Sequence, residues 1–102
     1  MQINKSNISH IIIAVCTYKR ENELDRCILS LSEMNFPYIK TEILIVDNDL
    51  NKSAEKVYNK YKNQLDIHYI IEERQGLSNV RNKALKEAII LGARAIAFPT
   101  DN

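Results

Sequence analysis

The sequence predicts an α/β domain built on a parallel sheet, and three observations carry that reading. Apolar runs without polar alternation, Ile11 to Val15 and Ile43 to Val46, suit strands covered on both faces. Between such runs lie segments with apolar residues at helical spacing, so strand and helix alternate along the chain. The runs stop at polar clusters, Cys16-Thr17-Tyr18-Lys19-Arg20, Asp47-Asn48-Asp49 and, at the end, Pro99-Thr100-Asp101-Asn102. Strand carboxyl ends are where an open parallel sheet binds its ligands.

Composition narrows the class. With 102 residues, 45% hydrophobic and 26% charged, the chain is one small globular domain or part of one. Its 14 basic and 13 acidic residues leave a net charge of +1, so no global field favours nucleic acid or an anionic membrane. Cys16 and Cys27 show neither metal-ligand spacing nor a disulfide frame and read as reduced thiols of a cytoplasmic protein. No apolar run approaches the roughly 18 residues of a membrane span.

Taken in order, residues 1 to 9 form a polar leader, and residues 10 to 102 the domain. The first strand ends in a turn without glycine, which excludes a dinucleotide fingerprint or P-loop, whose backbone must approach phosphate closely. That turn also lacks the acids of a receiver-type metal site. Helix one is expected to open at Asn22 as cap, with Asp25 complementing the positive helix end. Leu24, Cys27, Ile28, Leu31 and Met34 would share its inner face, and Asn35-Phe36-Pro37 would end it.

Strand two spans Glu42 to Val46. Helix two follows from about Ser53 to Asn63, with Ala54, Val57, Tyr58 and Tyr61 inward and Lys56, Lys60 and Lys62 turned to water. Strand three, Ile67 to Ile71, carries His68, read as structural, and leads into Glu72-Glu73-Arg74-Gln75-Gly76. Helix three begins near Ser78 and turns Val80, Ala84, Leu85, Ala88, Ile89 and Leu91 inward before Gly92 stops it. Strand four is Arg94 to Phe98.

Right-handed crossovers then give a Rossmann-like three-layer sandwich with a parallel sheet of about four strands in the order 3-2-1-4. Winding reverses between strands one and four, opening a crevice that Thr17, Asp47 and Asp101 would face. Hydroxyl, phenol and amide groups beside carboxylates suit a nucleotide whose phosphates carry a hard divalent cation. The plainer reading of Asp47 and Asp49 is as turn formers or helix caps.

The segments AVCTYKR, ILIVDND, ERQGLSNVRNKAL and AIAFPTDN, in this order, resemble the amino-terminal half of family 2 glycosyltransferases, which have the GT-A fold. The resemblance implies a donor-binding subdomain that places Thr17, Tyr18, Arg20, Asp47 and Asn48 around the base of a nucleoside diphosphate sugar, a UDP-sugar being favoured. It places Gly76, Arg81 and Asn82 near the diphosphate. Asp101, with Asn102 beside it, matches the DxD-type motif that holds Mg2+ or Mn2+. Thr100 and Asn102 stand where carboxylates are frequent, and Val80 replaces a usual alanine.

The family's enzymes are much longer, and the catalytic base belongs to an acceptor-binding half beyond Asn102. The resemblance therefore implies the donor half of an inverting, hexosyltransferase-like enzyme of bacterial polysaccharide synthesis, inactive alone and, in full length, at the inner face of the membrane. An unpaired strand-four edge would favour self-association. A non-catalytic α/β module binding a nucleotide or a protein is the alternative; a nucleotidyltransferase would want a glycine-rich basic loop after strand one.

Overall fold

The structure, a computed structural model, describes residues 10–99. Its elements are β1 (His10–Thr17), α1 (Glu21–Ser32), β2 (Lys40–Asp47), α2 (Glu55–Tyr61), β3 (Ile67–Ile71), α3 (Leu77–Ile90) and β4 (Ala95–Ala97). The strands form one parallel sheet in the order β3-β2-β1-β4, as the sequence predicts. β1 and β2 run in register along their whole length, from His10 beside Lys40 to Thr17 beside Asp47. β4 pairs only with Ile11, Ile12 and Ile13.

Successive strand side chains point to opposite faces, so the apolar runs feed two cores. Val15, Ile43, Ile45 and Ile67 pack under α1 and α2 with Leu24, Ile28, Val57 and Tyr61. Ile12, Ala14, Leu44 and Val46 pack under α3, which presents Val80, Ala84 and Ala88. Four-residue spacing of small side chains puts these three on one stripe and lets the helix lie close to the sheet.

Several local expectations change. α1 begins at Glu21 with Arg20 in the cap position and no side-chain cap, because Asn22 already lies inside the first turn. Asp25 instead accepts hydrogen bonds from Lys60 (2.8 Å) and the Tyr61 hydroxyl, tying α1 to α2. Lys60 is thus an interhelical partner, and Lys56 stands 3.5 Å from Glu21. α1 ends at Ser32, before Met34, which is exposed. On α3, Leu85 and Ile89 face outward, Ile89 at 76% exposure, since the helix meets the sheet along the stripe of Val80, Ala84 and Ala88.

Gly92 does end α3. Its φ of 80° lies in the left-handed region, and it donates to Ile89 while Ala93 donates to Ala88, the pattern of a Schellman cap. His68 is structural, as expected. It shares the Glu42 carboxylate with His10, donating at 2.9 Å to one oxygen while His10 meets the other, so one acid pins three neighbouring strands.

Burial works against the Glu42 charge, but hydrogen bonds from His68 and His10 outweigh it and hold the pKa below its usual value. A depressed folded pKa stabilises above the unfolded value and is lost as pH falls through the folded one. The acid limb of Tm against pH, between roughly pH 5 and pH 3, should therefore be shallower in Glu42→Gln than in the wild type. Equal slopes would show that Glu42 does not couple protonation to folding.

Candidate functional site

The carboxyl end of β1 turns sharply. Lys19 adopts a left-handed φ of 53°, which swings the chain from strand to helix within three residues and leaves Tyr18 at the surface with the Lys19 ammonium 5.2 Å from its ring centroid. The Thr17 carbonyl accepts the Asn48 N–H at 2.9 Å, extending the β1–β2 pairing beyond the strands themselves.

Asp47 ends β2 on the face of Ile43 and Ile45 and is 0% exposed. One carboxylate oxygen accepts the Asp49 N–H (3.0 Å), and the other accepts the Ala54 N–H (3.0 Å) and the Tyr69 hydroxyl (2.7 Å). It thereby folds the segment before α2 back onto the sheet. Burial, followed by this bond to Asp47, pushes the Tyr69 phenol far above its usual pKa. Tyr69 also stacks on Tyr58, with ring centroids 5.5 Å apart. Asp49 accepts the Asn51 N–H at 2.9 Å, and this bond leads the causes that lower its pKa.

Asn48 turns to the other side and holds the loop between β3 and α3. Its Nδ2 donates to the Glu72 and Arg74 carbonyls at 2.6 and 2.9 Å, and its Oδ1 accepts the Gly76 N–H at 3.1 Å. Its carbonyl accepts from Gln75 Nε2. Gly76 has φ 127° and ψ 146°, a backbone region essentially open to glycine alone. Within the same loop Glu72 accepts the Arg74 N–H and pairs with its guanidinium at 3.2 Å, and the side-chain bond chiefly keeps the Glu72 pKa low.

Two neighbouring clefts result. One, about 280 Å³, is lined by Cys16, Thr17, Tyr18, Arg20, Asn48, Gln75, Gly76, Leu77 and Val80. The other, about 320 Å³, shares Cys16 and Leu77 and adds Ala14, Val15, Cys27, Arg81, Phe98 and Pro99. The Arg81 guanidinium lies 5.4 Å from the Phe98 ring centroid. Neither cysteine forms a disulfide and both are half-buried; burial raises the Cys16 pKa, with Arg81 opposing it. A third cleft, about 310 Å³, lies around Ile13, Leu31, Phe36 and Leu65, away from these strand ends.

The structure brings Thr17, Tyr18, Arg20, Asn48 and Gly76 to one cleft and puts Arg81 in the adjoining one. Asp47 lines neither cleft and sits behind the first as a buried brace, so the expectation that it faces the crevice is corrected. Asn82 is exposed on α3 and lines neither. Asp101 and Asn102 lie outside the described residues. Among the described residues no group of three or more His, Cys, Asp or Glu is arranged to hold a metal ion. Sequence reasoning missed Gln75 and Leu77, whose only signal was their place on either side of Gly76.

A parallel 3-2-1-4 sheet with a polar cleft at its carboxyl end defines an α/β domain of the Rossmann-like, ligand-binding type. The profile described as glycosyl transferase family 2 matches residues 12–89, from β1 almost to the end of α3, and the chain belongs to that family. Among curated proteins none matches the chain. The family makes this a nucleotide-sugar-binding domain of the glycosyltransferase type. No helix among the described residues is long and apolar enough to cross a membrane.

The bonding of Asp47 yields a stability prediction. Asp47→Asn turns a donor toward the Ala54 N–H and the Tyr69 hydroxyl, and should cost about 2–3 kcal/mol in urea denaturation. Tyr69→Phe, which removes one acceptor's partner while keeping the ring, should cost less, about 1 kcal/mol. Equal stability of Asp47→Asn and wild type would remove the brace from the account.

Proposed function

We propose that the cleft of Thr17, Tyr18, Arg20, Gln75 and Gly76 binds the nucleoside of a nucleoside diphosphate sugar, and that the chain is the donor side of an inverting glycosyltransferase. The observation that carries this reading is the meeting of these side chains at the carboxyl ends of the parallel strands, in a chain of family 2. Tyr18 offers an exposed ring for stacking on a base, Thr17 a hydroxyl, and Arg20 a fixed positive charge. Gly76 and Gln75 form the facing wall. Arg81, in the adjoining cleft, is placed to meet negative charge passing from the first cleft toward β4.

In this reading Asp47 and Asn48 support the pocket from behind, because their side-chain polar groups are already bonded within the protein. The favoured donor is a UDP-sugar. A Mg2+ or Mn2+ ion, assigned to Asp101 and Asn102 outside the described residues, would neutralise charge on the leaving diphosphate. The base that deprotonates the acceptor, a glycan hydroxyl, is assigned to none of the cleft residues. A lone donor side would bind without transferring sugar.

Calorimetric titration of UDP, with and without Mn2+, tests the proposal. Tyr18→Ala and Arg20→Ala should each weaken binding roughly tenfold, the scale of one lost stacking or charged contact. A folded wild type that binds no nucleoside diphosphate, or variants that bind as well as it does, would overturn the assignment.

β4 has a strand partner on one side only among the described residues, and we propose that this edge pairs with a second copy. Sedimentation should show dimers growing with concentration; a monomer throughout would exclude it.

A further inference from the structure

We infer that Asn48 is a positioning residue whose carboxamide sets the shape of the cleft by fixing the loop between β3 and α3, and that a carboxylate cannot replace it. The functional half of this inference rests on the donor-site reading above; the structural half stands apart from it.

Asn48 is buried, and its bonds reach the end of β1 and the loop between β3 and α3, two of the segments that wall the cleft. Its own N–H ties it to the end of β1 through Thr17 (2.9 Å). Both N–H groups of the carboxamide are used, on the carbonyls of Glu72 (2.6 Å) and Arg74 (2.9 Å). The carboxamide oxygen takes the Gly76 N–H at 3.1 Å. Two carbonyls on one side and an N–H on the other admit a single orientation of the amide. Gly76 holds a φ of 127°, so the loop keeps a backbone geometry that its own residues do not enforce. The carboxamide supplies the missing constraint.

Aspartate has almost the same shape with the opposite hydrogen-bonding character. An ionised Asp at position 48 would face the Glu72 and Arg74 carbonyl oxygens with no donor, leaving three acceptors against one another. Protonation would restore one donor. The other charged groups at this junction are Lys19 and Arg20 in the turn after β1, Glu72, Glu73 and Arg74 in the loop, Asp47 and Asp49 beside Asn48, and Arg81 and Lys83 on α3, which act on Cys16 and Glu72. Glu72 is already paired with Arg74, and Asp47 with Ala54 and Tyr69, so neither carboxylate competes with the loop carbonyls for the carboxamide N–H groups.

The test is Asn48→Asp, measured by UDP titration and by hydrogen exchange of amides 72–76, each as a ratio to wild type at the same pH. Near pH 8 the variant should bind about tenfold or more weakly and lose protection at Gly76, while amides of β1 and β2 stay protected. Near pH 5 both gaps should narrow severalfold as the introduced carboxyl gains a proton. A gap independent of pH would overturn the inference. So would weakened binding with Gly76 still protected, since Asn48 would then touch the nucleotide itself. If wild type binds no nucleoside diphosphate, the donor-site reading fails and the exchange ratio alone decides the positioning role. Should Asn48→Asp not fold, Asn48→Ser should lose Gly76 protection equally at both pH values; retained protection would refute the role.

Discussion

Two adjacent side chains at the end of β2 hold the functional end of this domain together. Asp47 and Asn48 are both buried, and their hydrogen bonds are made inside the protein. A buried carboxylate is tolerated only when donors surround it, and a buried amide only when its oxygen and both N–H groups find partners. These demands are met by backbone groups that would otherwise be orphaned at a strand end and in two loops. Satisfying the side chains and satisfying the loops are therefore one problem with one solution.

Strand geometry separates the two roles. Alternation carries Asp47 to the face of α1 and α2, where it closes the segment before α2, and carries Asn48 toward α3, where it closes the loop that ends at Gly76. The cleft then has a rigid back, while its front is made of the exposed Tyr18 and Arg20 on a turn. Such a division suits ligand binding: preformed walls reduce the ordering cost of binding, and exposed side chains supply the contacts. The alanine stripe of α3 serves the same end by holding Leu77 and Arg81 close over the carboxyl end of β1.

Much of this was legible in the chain. β3 falls at the bounds expected for it, the sheet order follows from alternating elements and right-handed crossovers, and Gly92 stops α3 as its position implied. Thr17, Tyr18, Arg20 and Gly76 converge because strand ends in a parallel sheet share one edge. The errors have a common source. Asn22 looked like a cap because its type favours that position, yet the left-handed turn at Lys19 starts the helix earlier. Leu85 and Ile89 looked inward because they are apolar, yet helix α3 meets the sheet along its smallest side chains. Lys60 is exposed as expected, and its pairing with Asp25 on another helix is what no local pattern could show.

By itself, then, the sequence determined the fold class, the order of the strands and the end of the sheet where a ligand belongs, because hydrophobic periodicity and turn chemistry are local properties of the chain. Only the tertiary structure decided that Asp47 is a brace, that Asn48 clamps the loop before α3 and that Gln75 joins the cleft. Those roles depend on which donors and acceptors meet across 22 to 28 residues of chain separation. A carboxylate's chemistry is the same in a ligand site and in a buried brace; the partners brought to it by folding settle which it becomes.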